Sequence, residues 1–99
     1  MNLSLEASFD LNFFLGHEIT HGFDDQGSQF DGDGNFFNWW SPSDRKSFEE
    51  RVQCIKDEYA GFYFEEADKN LNGDLTAGEN VADNGGVWES KYAYDNWKG

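Results

Sequence analysis

The stretch "GHEITHG", residues 16–22, constrains this chain more than any other. His17 and His21 stand four apart, and the 99 residues contain no other histidine. On a helix, a separation of four puts both imidazoles on one face, one turn apart, able to grip one ion. Glu18 points roughly 100° around that helix, beside such an ion without needing to ligate it. The pattern H-E-x-x-H is suited to metal-assisted hydrolysis. Zinc lowers the pKa of a bound water toward about 7, and a neighbouring carboxylate takes the proton as the water attacks a carbonyl. The plainer reading is two surface histidines on a charged helix. A catalytic zinc takes three protein ligands plus water. With one cysteine, Cys54, and no further histidine, the third ligand is expected to be a carboxylate, and the chain has 20 of these. Composition does not choose among them.

Ninety-nine residues suffice for one small domain, which buries only roughly two-thirds of the surface it would expose unfolded. Bound metal or a larger partner structure would therefore matter to its stability. Eighteen per cent of the residues are aromatic, too many for a disordered chain, so a packed core is expected. The formal net charge of −13 argues against nucleic acid and against an anionic membrane surface. It suits metal cations, although a solvated acidic surface explains it as well. No run of 18 apolar residues is present, so no membrane span is expected. The start, "MNLSLEASFDLNFFLG", has no basic region and carries two acids, which makes it a poor signal peptide.

The fold class expected is mainly α, with three helices at about 9–22, 42–65 and 77–97 joined by long loops. In the first, Leu11, Leu15 and Ile19 form an apolar stripe. Residues 22–40 are rich in Gly, Asp and Asn and read as loop, with a hairpin weakly signalled at "DGDGN". Ser41, Pro42 and Asp44 mark the start of the second helix. Phe48, Val52, Ile55, Tyr59 and Phe62 follow at spacings of 4, 3, 4 and 3, predicting a buried stripe with Cys54 beside it. The third helix is expected to begin near Thr76 or Gly78. Gly85-Gly86 within it costs roughly 1 kcal/mol each relative to Ala. The pair implies a close backbone approach or a break.

Three claims meet on Glu79. In "DKNLNGDLTAGE", residues 68–79, the residues Asp68, Asn70, Asn72, Gly73 and Glu79 fall at EF-hand positions 1, 3, 5, 6 and 12. Only two of those side chains are charged, and glycines 85–86 fall in what would be the exiting helix. Alternatively "TAGE" is a capping box, with Thr76 as the cap and Glu79 reaching back. The third claim places Glu79 on a helix facing the histidines. Asp83, four residues on, then shares its face and can accept a hydrogen bond from the free ring nitrogen of a ligating histidine.

The blocks "GHEITHGFDDQGSQFDGDGNFFNWW", "QC" and "GENVADNGG" resemble, in order, the catalytic core of the neprilysin family of zinc metallopeptidases. These are gluzincins, in which H-E-x-x-H is completed by the Glu of E-x-x-x-D. The similarity covers residues 16 to about 97 and leaves 1–15 divergent, so that 1–99 reads as a single partial peptidase domain. It implies that His17, His21 and Glu79 ligate one zinc ion. It further implies that Glu18 is the catalytic base, that Asp83 orients a ligand histidine, and that peptides are the substrates.

Family members also carry an upstream Asn-Ala-aromatic substrate strand, a downstream histidine and arginine, and a partner for the cysteine matching Cys54. They are several times longer and membrane-anchored or secreted. The resemblance thus implies a metal centre lacking N- and C-terminal parts of its domain, with little activity of its own. The alternatives are a zinc-binding fragment without catalysis and a calcium module at 68–79.

Overall fold

The computed structural model describes residues 5–97. Three helices, α1 (Leu5–Thr20), α2 (Pro42–Ala60) and α3 (Ala77–Asn96), dominate it. A two-stranded antiparallel ribbon, β1 (Tyr63–Phe64) with β2 (Lys69–Asn70), pairs Tyr63 with Asn70 and Phe64 with Lys69. The mainly helical expectation holds.

Three boundaries move, one of them the end of the first helix, expected near residue 22 and found at Thr20, where a 3-10 turn takes over. The first helix begins at Leu5, earlier than expected, because nothing in "LEASFDLNFFL" breaks it before Gly16. The second was expected to reach residue 65 but stops at Ala60. Gly61 caps it, donating its N–H to Glu58 and Tyr59, and Phe62 leaves the helix. The chain then turns back through Asp68, which adopts the left-handed conformation (φ 51°) that Asp tolerates better than most residues. The start of α2 is as predicted: Ser41 Oγ accepts the Asp44 N–H at 3.1 Å, and Pro42 opens the helix.

In the 22–40 loop, Phe30 and Phe36 form one isolated antiparallel bridge. Asp31 closes the turn between them, accepting the backbone N–H groups of Asp33 and Asn35. The Trp39 and Trp40 indoles donate to the carbonyls of Phe30 and Ser28.

Both predicted apolar stripes need correction. On α2 only Val52 is buried; Phe48, Ile55 and Tyr59 are half-buried, and Phe62 and Cys54 are exposed. On α1, Leu11, Leu15 and Ile19 are all more than half exposed. Helix α1 instead packs on α3 through Phe13, Gly16, His17 and Thr20, against Gly85, Gly86 and Glu89. Small residues let the two backbones approach more closely than a leucine stripe permits. Helix α3 therefore runs unbroken through Gly85-Gly86, and the reason for the pair is the close approach. Ala77 and Ala82 are fully buried, and Ser90 is 1% exposed with Oγ bonded to the Gly86 carbonyl. The most extensive helix packing among the described residues is this seam between α1 and α3, and Val52 of α2 adds a further buried apolar side chain.

Candidate metal centre

His17 lies in the last turn of α1, and His21 opens the single turn of 3-10 helix that follows it. Glu79 lies in the first turn of α3, with Asp83 one turn on. Because α1 crosses α3, these four residues meet across a 58-residue gap in sequence.

Three of the side chains bring candidate ligand atoms close together. His17 Nε2 is 3.0 Å from His21 Nε2. Glu79 Oε2 is 3.4 Å from His17 Nε2, and Glu79 Oε1 is 3.5 Å from His21 Nε2. Donor atoms around a tetrahedral zinc at its usual bond lengths stand about 3.3–3.5 Å apart. Candidate ligand atoms of the three residues all lie within 4.8 Å of one another, and among the described residues no other group of three His, Cys or acidic side chains does so.

The outer nitrogens decide the chemistry. His17 Nδ1 is 2.9 Å from Asp83 Oδ1, and His21 Nδ1 is 2.8 Å from Asp24 Oδ2. A carboxylate only accepts, so each Nδ1 carries the proton and each Nε2 turns a lone pair inward. Two lone pairs and a carboxylate then converge on one point. That arrangement is repulsive unless a proton or a metal cation sits between them, and the donor set is one zinc accepts.

The sequence motifs do not single out Asp24. The available signal was an acid three residues after His21, within reach on a helical path. It is 6% exposed and strongly held: besides His21 it accepts the N–H groups of Gln26 at 2.9 Å and Gly27 at 2.6 Å. Burial pushes its carboxyl up, but these three hydrogen bonds outweigh burial and hold it below its ordinary value. Asp24 in turn is the main cause of a raised pKa at His21, aided by the charges of Glu79 and Glu18 against burial. Asp24 Oδ2 and Asp25 Oδ1 both lie over Gly78, in the first turn of α3. Asp25 Oδ1 is buried without a hydrogen-bond partner. The positive end of the helix dipole offsets that charge and ties the loop to the helix bearing Glu79.

The sign of the His21 shift yields an expectation. A metal needs Nε2 unprotonated, and the raised pKa keeps His21 protonated to a higher pH than a free imidazole, near 6.5. Zinc affinity should fall as the pH drops through that raised value. Asp24→Asn should move the fall to lower pH while weakening binding overall. Zinc titrations from about pH 5 to 8.5 check this; an unmoved profile would mean that Asp24 does not govern His21.

Glu18 is exposed and makes no hydrogen bond or ion pair with a described side chain. The other two claims on Glu79 fail in this structure. Thr76 makes no side-chain cap bond; its hydroxyl donates to the Asn72 carbonyl and accepts from Asn80. The capping box does not form because the Glu79 carboxylate is turned to the histidines. The EF-hand residues do not converge either. Asp68 accepts the Tyr63 hydroxyl, Asn70 donates to the Ala60 carbonyl, and Asn72 accepts the Leu75 N–H.

Comparison with known proteins agrees with this architecture. The sequence profile of Peptidase family M13 matches residues 11–98. Neprilysin-11 of Caenorhabditis elegans is 54% identical over 83 residues, 84% of this chain and 10% of that protein. Mouse membrane metallo-endopeptidase-like 1 is 48% identical over 88 residues, 88% of this chain and 12% of that protein. Among solved structures, PepO from Lactobacillus rhamnosis superposes with a TM-score of 0.85 at 34% identity, over 93% of this chain and 14% of that one. The Mycobacterium tuberculosis zinc metalloprotease Zmp1, in complex with an inhibitor, gives 0.81 at 34% identity, over 89% of this chain and 15% of that one. The chain thus spans about a tenth of the length of the curated relatives it matches. With its profile matched over most of its length and its helix pair superposing on solved members, the chain belongs to peptidase family M13, a family of zinc metallopeptidases.

Proposed function

We propose that this chain is the zinc-binding core of a metalloendopeptidase that hydrolyses peptide bonds, with His17, His21 and Glu79 as ligands of one zinc ion. The observation that carries the reading is the inward convergence of both Nε2 atoms and the Glu79 carboxylate, with each Nδ1 held from behind by a carboxylate. Zinc, when bound, supplies acidity to a water molecule and positive charge to a carbonyl oxygen. The chain's own residues do the rest. Asp83 and Asp24 fix the tautomers and ring orientations of His17 and His21. Glu18 takes the water's proton as it attacks the scissile carbonyl carbon, then passes that proton to the departing amine.

The 99 residues contain no histidine besides the two ligands. An imidazole donor to the developing oxyanion is therefore not among them, and losing one such donor costs about 10²–10³ in rate. Hydrolysis by these residues alone is expected to be slow, and zinc binding without turnover is the second reading. The full-length setting we propose is an ectodomain, supported by the relatives named membrane metallo-endopeptidase-like 1. No described helix is long and apolar enough to cross a membrane.

The deciding experiment is a metal titration of the chain. One equivalent of zinc should bind tightly, with protons released as it displaces them from the imidazoles. Calcium should not compete. No zinc uptake, or micromolar calcium binding that depends on Asp68, would overturn the reading.

A further inference from the structure

Where α1 crosses α3, three glycines, Gly16, Gly85 and Gly86, leave no room for a side chain. A methyl group built on Gly86 would lie 2.7 Å from the Phe13 carbonyl oxygen and 3.0 Å from the His17 amide nitrogen. That carbonyl and that amide are four residues apart, the pair that closes one turn of α1 just before the first histidine. Gly86 therefore rests on the turn that carries His17. On the other helix, a methyl group on Gly16 would lie 3.0 Å from Gly86 Cα. Next to it, a methyl group on Gly85 would overlap Thr20 Oγ1 and lie 2.7 and 2.8 Å from Thr20 Cγ2 and Cβ.

We propose that Gly85 and Gly86 are positioning residues for the metal site: they set the interhelical distance at which Glu79 reaches the two histidines. The inference rests on the zinc-site reading above. Gly86 lies seven residues beyond Glu79 and three beyond Asp83, so Glu79, Asp83 and Gly86 occupy one face of α3. That face delivers the third ligand, the partner of His17 Nδ1 and the backbone contact in turn. Relieving a methyl group at Gly86 needs the helices to part by roughly 0.5–1 Å, since relaxed carbon contacts begin at about 3.5 Å. Metal–ligand distances tolerate only about 0.2 Å. The mismatch falls on Glu79, because His17 and His21 move together on α1 and its continuation.

The two glycines differ in what blocks them. At Gly86 the nearest obstacles are backbone atoms, which no side-chain trimming removes. At Gly85 the three nearest are all atoms of the Thr20 side chain, which glycine at position 20 removes. Gly86→Ala should weaken zinc binding by about 10- to 100-fold, the range typical of disturbing a ligand's support. Its cobalt(II)-loaded visible spectrum should match that of Glu79→Ala rather than wild type, reporting loss of the third ligand while helicity is kept. Gly85→Ala should weaken binding similarly, and adding Thr20→Gly should return affinity to that of Thr20→Gly alone.

Wild-type zinc affinity in Gly86→Ala would overturn the proposal. So would a Gly85→Ala, Thr20→Gly pair no better than Gly85→Ala. Should Gly86→Ala lose its helical circular dichroism, the pair decides. A wild-type chain that takes up no zinc, or is indifferent to Glu79→Ala, overturns the site reading instead, which separates the two failures.

Discussion

Glu18→Gln should lower peptide hydrolysis by about 10²–10⁴-fold while leaving zinc affinity nearly unchanged. In barrier terms that is about 3–5 kcal/mol. The amide keeps the size of the carboxylate but cannot accept the water's proton. Because Glu18 is exposed and hydrogen-bonded to no described side chain, the substitution leaves no buried group unpaired and should not disturb α1. Its charge is also one of the smaller contributors to the raised His21 pKa, so the metal site should titrate almost as before. Cleavage of a fluorogenic peptide, with zinc content measured on the same samples, makes the test. Equal rates with and without the carboxylate would remove Glu18 from the mechanism. They would also favour zinc binding without turnover.

The second large effect is expected at the ligands. His17→Ala and Glu79→Ala should each weaken zinc binding by more than about 100-fold, beyond the 10- to 100-fold expected at Asp83. Glu79 is 69% exposed and has no described partner besides the histidines. Its removal should shift the stability of the metal-free chain by no more than about 0.5 kcal/mol. Metal loss is then separable from misfolding: the zinc isotherm collapses while the metal-free melting curve stays in place. Asp68→Ala serves as the control, since its carboxylate is bonded to Tyr63 away from the site. If Asp68→Ala reduced zinc uptake as much as Glu79→Ala, the three-ligand assignment would be wrong.

Helix-local features were readable in advance because they depend on residues within one or two turns. Ser41, Pro42 and Asp44 cap α2 by contacts three residues apart, and the structure keeps them. The Gly85-Gly86 pair announced a close approach, although not which helix it would meet. Periodicity failed at the stripes. Leu11, Leu15 and Ile19 repeat every four residues, yet α1 turns its small and polar side toward α3. A repeat shows that a helix has an apolar face; it does not say which face the neighbouring helix takes. Asp24 escaped notice because its importance comes from the 3-10 turn at His21–Phe23, which folds the chain back so that Asp24 reaches His21 Nδ1. The capping box was locally sound, but Thr76 and Glu79 found partners in Asn80 and the histidines.

What the sequence by itself determined is the spacing of the two histidines. A separation of four puts His17 and His21 on one face of a helical path with Glu18 beside them, although α1 ends at Thr20 and His21 opens the 3-10 turn. Resemblance named Glu79 and Asp83, but no local rule could select them from 20 acids. Only the tertiary structure brings Glu79 and Asp83 beside the histidines. A gap of 58 residues is closed by packing, and the packing is set where two backbones meet at glycine, close enough for one carboxylate to reach two imidazoles.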